Sequence, residues 1–289
     1  MCETDDFGGF EIENRMTRRR FGYLAMGASL VALSPWPALA GSTKGRDVDI
    51  ATPAGTADAY FVHPLQGRHP GIVIWPDIFG LRSAFKQMAT RLAEAGYAVL
   101  VVNPFYRSRR APTAPERADF NDPAVRQSLM ALRATLTPDA IQVDAGAFVT
   151  FLDQQSAVDA KRKIGAAGYC MGGPIVMRMA AFLPERVAAL ASFHGGGLVT
   201  DQADSPHHLI PRMKASVLIA VAENDDAKEP TTKEVLRKAF QKAKRPAEIE
   251  VYAGTKHGWC PTDSPVYDPV QAEKAWGRLL VLFKYSLSA

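Results

Sequence analysis

Cysteine is scarce in this sequence, and its scarcity argues against two classes of protein. Only three cysteines, Cys2, Cys170 and Cys260, occur among 289 residues. Three are too few for a scaffold held together by disulfides, and their spacing fits no pattern of a zinc site. Each cysteine is therefore better interpreted as an individual thiol than as part of a disulfide scaffold or a zinc site.

A strong charge imbalance is also lacking. The formal net charge is +4 and charged residues make up 22% of the chain. Basic residues form no stripe, so nucleic acid is not an expected partner. Internal repeats and low-complexity tracts are missing as well, while a hydrophobic content of 47% is enough for one large core.

The most conspicuous apolar run lies near the N-terminus. Arg18–Arg20 precede GYLAMGASLVALSPWPALA, which ends in an A-x-A site at Ala40. A basic region, an apolar region and an A-x-A site in this order are typical of a secretory signal peptide. Because the apolar region is short and broken by prolines, no permanent transmembrane helix is expected.

The arginines resemble the twin-arginine (Tat) type of signal, with Thr17 before them and Phe21 after them. We expect cleavage of residues 1–40 after Ala40, a single remaining domain over 41–289, and a periplasmic or secreted protein. Tat export would let a cysteine enzyme fold in the reducing cytoplasm first. An uncleaved N-terminal anchor is the alternative.

Downstream of this segment, strand-like and helix-like patterns alternate. Two strands are predicted within 47–62, and the short apolar runs that predict further strands are 71–76, 97–102, 163–169, 187–193, 216–222 and 247–252. The predicted helices are 83–95, one or two within 124–155, 173–183, 231–243 and 268–287. This alternation predicts an α/β fold with a mostly parallel sheet covered by helices on both faces, and reactive residues at the carboxyl ends of the strands.

One strand end carries a cysteine in a glycine-rich turn. The stretch GYCMGG places Cys170 between Gly168 and Gly172. Such a turn between strand and helix is the nucleophile elbow of α/β-hydrolases, where a strained nucleophile needs small neighbours. The positive end of the following helix favours a thiolate, and the amide of Met171 can donate to an oxyanion. A cysteine buried as a small apolar side chain is the alternative.

Two further strand ends offer partners for this cysteine. Asp225 follows one strand, and His257 lies in the loop after the last strand. Nucleophile, acid and base then occur in the chain order of an α/β-hydrolase triad, in which the acid orients the histidine. Asp226 is the alternative acid, and His194, which also follows a strand, is the alternative base.

Together these motifs resemble the dienelactone hydrolase (carboxymethylenebutenolidase) family. The resemblance covers most of 47–287 and rests on VIWPDIFGL, RLAEAGYAVLVVNPFY, GYCMGG, AENDD and AGTKHGW. It implies the α/β-hydrolase fold and hydrolysis of a small lactone or ester without a cofactor or metal. It also implies the triad Cys170, Asp225 and His257.

The resemblance assigns residues around the triad as well. Family members carry an acid that accepts a hydrogen bond from the resting thiol, and Asp77 stands there in place of the usual Glu. The amide of Ile78 is then expected to be the second oxyanion donor, beside Met171.

Substrate binding is also implied by the resemblance. Family arginines hold a substrate carboxylate through a bidentate fork, and the segment NPFYRSRR offers Arg107, which we prefer, or Arg109, next to Tyr106. The second family arginine, a few residues after the catalytic histidine, is missing from HGWCP. Trp259 is expected to help make the pocket more apolar.

Three functions are therefore weighed. The first is a thiol hydrolase of lactones or esters, and the second is a hydrolase of thioesters, aryl esters or other small acyl substrates. The third is an exported thiol protein without turnover on the same scaffold. A monomer is expected, with the Tat machinery as a transient partner. Cys260 is expected to be an uninvolved loop thiol, the alternative being an inactivating disulfide with Cys170.

Overall fold

A computed structural model describes residues 42–116 and 118–288. The signal peptide over 1–40 and its cleavage site at Ala40 lie outside these ranges, so both stay predictions. The described strands are β1 Thr43–Thr52, β2 Gly55–Pro64, β3 Gly71–Trp75, β4 Ala98–Val102, β5 Ile164–Tyr169, β6 Val187–Phe193, β7 Ser216–Ala222 and β8 Ala247–Tyr252.

These strands form one eight-stranded sheet in the order β1-β2-β4-β3-β5-β6-β7-β8. β1 pairs with β2 and β2 with β4 in antiparallel fashion, and the remaining neighbours are parallel. Every residue of β3, β4 and β5 is buried, which explains why these strands are continuous apolar runs and not alternating ones.

The helices connect and cover the strands. In the described ranges they are α1 Ser83–Glu94, α2 Pro123–Ala134, α3 Pro138–Asp153, α4 Gly172–Phe182, α5 Glu223–Lys228, α6 Thr232–Lys242 and α7 Pro269–Ser286, with a 3₁₀ helix at Pro206–Arg212. Asp122, Thr137 and Asp268 cap three of them, each just before a proline. None of the described helices is both long enough and apolar enough to cross a bilayer.

The mostly parallel sheet with its helices confirms the predicted α/β-hydrolase fold. Parallel strands bring their carboxyl ends to one edge of the sheet. The residues that directly follow β3, β5, β6, β7 and β8 therefore share this edge, and the candidate site lies there.

Candidate active site

The turn after β5 has the geometry of a nucleophile elbow. Cys170 has a φ of +50°, in the left-handed region that only a tightly constrained non-glycine residue occupies. A Cβ on Gly168 would lie 2.1 Å from the carbonyl oxygen of Gly172, and a Cβ on Gly172 would lie 2.2 Å from that of Trp75. Because both obstacles are backbone atoms, neither position can carry a side chain without moving the chain.

The predicted acid and base lie together. His257 Nδ1 donates to Asp225 Oδ2 at 2.6 Å, and Cys170 lies close enough to His257 to raise the pKa of the imidazole. Asp225 belongs to α5, which begins directly after β7. Asn224 accepts a hydrogen bond from the His257 backbone amide at 2.8 Å, so the same short helix fixes both the ring and the backbone of the histidine. The sequence alone gave no role to Asn224.

The surroundings of His257 favour its charged form. Burial alone would lower the pKa of His257, but the hydrogen bond to Asp225, the nearby Cys170 and the charges of those groups outweigh burial. Together they raise its pKa to about 10. An imidazolium between a carboxylate and a sulfur stabilises a thiolate, which is the nucleophilic form of cysteine.

The two alternative triad residues have other surroundings. Both carboxylate oxygens of Asp226 bind Lys233 Nζ at 2.7 Å, which directs this acid toward α6. His194 is buried, with its ring centroid 5.1 Å from that of His257. Burial and the neighbouring His257 hold the pKa of His194 well below its usual value. Within the described residues, neither of its ring nitrogens has a hydrogen-bond partner.

The expected oxyanion donors flank the elbow. Ile78 follows the end of β3, and Met171 directly precedes α4. A Cβ on Gly172 would lie 3.0 Å from the carbonyl oxygen of Pro76, so the elbow packs directly against the segment that carries Ile78. Within the described part of the chain, neither amide donates to another protein group. Both amides are thus suited to bind an oxyanion.

Asp77 has a different partner from the one that the family resemblance implies. Its Oδ1 accepts from Arg82 Nη1 at 2.7 Å and its Oδ2 accepts from Arg82 Nη2 at 2.9 Å. Oδ1 also accepts from the amide of Phe79 at 3.0 Å. Arg82 folds back from the start of α1, so the carboxylate expected to face the thiol is bound to a guanidinium instead.

The same arginine reaches the loop that carries His257. Arg82 Nε donates to Asp263 Oδ2 at 2.6 Å, and Arg82 Nη2 donates to Asp263 Oδ1 at 3.0 Å. The guanidinium lies 4.8 Å from the ring centroid of Phe85, a distance at which a cation–π contact stabilises it. Sequence reasoning missed Arg82 and Asp263, because no local motif links residues so distant in the chain.

The residues predicted to bind a substrate carboxylate are engaged elsewhere. Arg107 donates to both oxygens of the buried Asp144, at 2.6 Å and 2.8 Å, and the Tyr106 hydroxyl donates to the same carboxylate at 2.6 Å. Arg109 is exposed and donates to the carbonyl oxygen of Thr113. The predicted clamp has a protein carboxylate as its partner, because α3 brings Asp144 to this loop.

Trp259 and Cys260, two and three residues after His257, are buried. Trp259 is fully buried and packs on Tyr252, with ring centroids 4.7 Å apart. Trp259 therefore belongs to the layer beneath the site, whereas the sequence placed it in the pocket wall. Cys260 and Cys170 are both free thiols, and burial raises the pKa of Cys260 well above its usual value.

In the described ranges, no group of three or more His, Cys, Asp or Glu side chains is arranged to hold a metal.

Known proteins resemble this chain over nearly the whole described part. The model of the "Dienelactone hydrolase family" matches residues 57–287. A candidate 2-oxo-3-(5-oxofuran-2-ylidene)propanoate lactonase from Bradyrhizobium sp. is 26% identical over 245 residues, which is 83% of this chain and 94% of that protein. A candidate carboxymethylenebutenolidase from Salmonella typhi is 28% identical over 231 residues, covering 78% of this chain and 81% of that protein.

Solved structures agree with the fold. The crystal structure of a candidate dienelactone hydrolase from Klebsiella pneumoniae superposes with a TM-score of 0.73 at 22% identity, covering 84% of this chain and 99% of that one. The family model spans most of the chain, from β2 through α7. The chain therefore belongs to the dienelactone hydrolase family, whose members hydrolyse esters and lactones.

Proposed function

We propose that this protein hydrolyses lactones or carboxylic esters with Cys170 as its nucleophile. One observation carries the proposal, namely the hydrogen-bonded His257–Asp225 pair beside Cys170, which itself lies at a strained elbow. A nucleophile within reach of a base that is oriented by a third group is the signature of nucleophilic catalysis.

The first half of the reaction forms an acyl-enzyme. The Cys170 thiolate attacks the carbonyl carbon, and the carbonyl oxygen becomes an oxyanion that accepts from the amides of Ile78 and Met171. The carbon–oxygen bond to the leaving group then breaks. His257 gives its proton to the departing alkoxide or enolate, which leaves a thioester on Cys170 and a neutral His257.

The second half releases the acid. His257 takes a proton from a water molecule as the water oxygen attacks the thioester carbon. The tetrahedral intermediate collapses, the carbon–sulfur bond breaks, and the thiolate and imidazolium are restored. Asp225 holds His257 in the tautomer with a proton on Nδ1, so that the other ring nitrogen faces the sulfur throughout.

Cys170→Ala tests the proposal directly. With the reduced full chain, hydrolysis of p-nitrophenyl butyrate and of a dienelactone is followed for wild type and variant. We expect kcat/KM to fall by about a thousandfold or more in the variant, because the attacking atom is gone. An unchanged circular dichroism spectrum and melting temperature serve as the control for folding.

The other outcomes are equally informative. A variant that keeps more than about a tenth of the wild-type rate would show that Cys170 is not the nucleophile. Turnover of the aryl ester without turnover of the lactone would favour a hydrolase of other small acyl groups. No turnover of either ester by wild type would favour a thiol protein without catalytic activity.

A further inference from the structure

Arg82 lies between two carboxylates that belong to opposite sides of the site. Asp77 directly precedes the oxyanion donor Ile78, and Asp263 follows His257 in the same loop. Arg82 binds each acid through two hydrogen bonds, at 2.7 and 2.9 Å for Asp77 and at 2.6 and 3.0 Å for Asp263. Its Nη1 also donates to the carbonyl oxygen of Gly80 at 3.3 Å. Every N–H donor of the guanidinium therefore has a protein acceptor.

This bridge carries an excess of negative charge. One guanidinium is shared by two carboxylates, so the three side chains together have a formal charge of −1. The side chains of Asp77 and Arg82 are 9% and 21% exposed, whereas that of Asp263 is 44% exposed. The uncompensated charge is thus located at the outer end of the bridge, which is open to solvent.

Arg107 and Lys256 do not offset this charge, and the positive charge of the His257 imidazolium is balanced by Asp225. Both terminal nitrogens of Arg107 bind Asp144, so this arginine is neutralised by its own partner. Lys256 precedes His257 but is exposed, so water and salt screen its charge. A substrate carboxylate would therefore find all N–H donors of Arg82 occupied. It would also be repelled by the net negative charge of Asp77, Arg82 and Asp263 together.

We propose that the site selects uncharged lactones and esters, and that Asp263 withholds Arg82 from substrates that carry a carboxylate. The inference rests on the proposed hydrolase function. Asp263 occupies the Nε edge of the Arg82 fork, which is the geometry in which arginine binds a carboxylate in bidentate fashion. An incoming carboxylate would have to displace Asp263 to gain that edge.

The test uses two esters that differ only in charge. One is the half-ester of adipic acid with p-nitrophenol, and the other is the same molecule with its free carboxyl capped as a methyl ester. Release of p-nitrophenolate is measured with the full chain, and Cys170→Ala provides the background. In wild type we expect kcat/KM to be about tenfold higher for the capped ester, the size of effect that one uncompensated charge exerts at partial screening.

Asp263→Ala should reverse much of this preference. The variant removes the excess charge and frees one edge of Arg82, while the buried Asp77–Arg82 pair stays intact. We expect the ratio of kcat/KM for the anionic ester to that for the capped ester to rise about tenfold. Glu273→Ala is the matched control, because Glu273 is also a partly exposed acid that binds an arginine through two hydrogen bonds of 2.9 Å. In Glu273→Ala, the ratio of kcat/KM for the anionic ester to that for the capped ester should stay within about twofold of wild type.

Each outcome decides the proposal. Equal rates for both esters in wild type, or an unchanged ratio in folded Asp263→Ala, would overturn it while leaving the hydrolase function standing. Hydrolysis of neither ester would overturn the inference together with the function on which it rests. If Asp263→Ala does not fold, the proposal is tested by the salt dependence of the wild-type preference for the capped ester. The preference should shrink between about 20 mM and about 500 mM salt, and a constant preference would contradict a charge effect.

Discussion

The ends of β5 and β6 place the same backbone strain in two different surroundings. Cys170 has a φ of +50° and His194 a φ of +39°, and each is followed closely by glycines. Each amide donates to the next strand, that of Cys170 to Phe193 and that of His194 to Ala220. The two turns also touch, since a Cβ on Gly173 would lie 2.7 Å from the Cα of Gly195.

Cys170 and His194 differ in their surroundings. Cys170 is partly exposed and lies close enough to His257 to raise the pKa of the imidazole, whereas His194 is buried beside His257 with both ring nitrogens lacking a partner among the described residues. Strain at a strand end therefore does not identify a reactive residue by itself. Access to solvent and a nearby partner of matching chemistry distinguish the two positions.

The largest expected effect comes from filling the elbow. A Cβ on Gly172 would meet the backbone oxygen of Trp75 at 2.2 Å, so Gly172→Ala should cost at least about 3 kcal/mol of unfolding free energy and abolish hydrolysis. Gly196→Ala is the matched control in the turn after β6, because no atom lies within 4 Å of its added Cβ. Urea denaturation of both variants measures the difference. Similar stabilities would show that the elbow is less constrained than its contacts indicate.

The next largest difference is expected between two single variants, in which His257 or His194 is replaced by phenylalanine. His257→Phe removes the base and should lower kcat by about a thousandfold or more. His194→Phe replaces the imidazole with a somewhat larger apolar ring and removes two nitrogens that have no partner among the described residues, so kcat should stay within about tenfold and the unfolding free energy within about 2 kcal/mol. Steady-state kinetics and urea denaturation measure both. An equal loss of activity in the two variants would mean that His194 takes part in catalysis.

The smallest expected effect is a dependence of stability on pH. The pKa of His257 is raised from 6.5 to about 10, so its contribution to stability is complete below about pH 6.5. That contribution is lost as the pH rises toward about 10. The difference in unfolding free energy between wild type and His257→Phe should therefore narrow over this range, while shared titrating groups cancel. A constant or widening difference would contradict a raised pKa.

The strands near the site were predictable because they are buried on both faces. β3, β4 and β5 are short apolar runs for that reason, and the predicted ranges 71–76 and 163–169 match β3 and β5 to within one residue. The elbow could equally be predicted from the sequence, because Gly168 and Gly172 lie within two residues of Cys170. Local sequence carries this information because the constraint itself is local.

The remaining features depend on contacts between distant residues. Arg82 and Asp263 are 181 positions apart, and Arg107 and Asp144 are 37 apart, so neither ion pair leaves a local pattern. The short helix α5 was not predicted, because its six residues, ENDDAK, are mostly polar and none is buried. The catalytic roles of Cys170, Asp225 and His257 stay predictions until the variants are measured.

The collisions at Gly168 and Gly172 have a consequence for how this protein can change over generations. The two glycines are fixed by backbone atoms, whereas the residue at position 170, midway between them, is required to tolerate a positive φ. A single nucleotide change that exchanges sulfur for oxygen at position 170 would alter the reaction chemistry and leave the scaffold in place. The two glycines therefore constrain the shape of the elbow, and the residue at position 170 can change while that shape is kept.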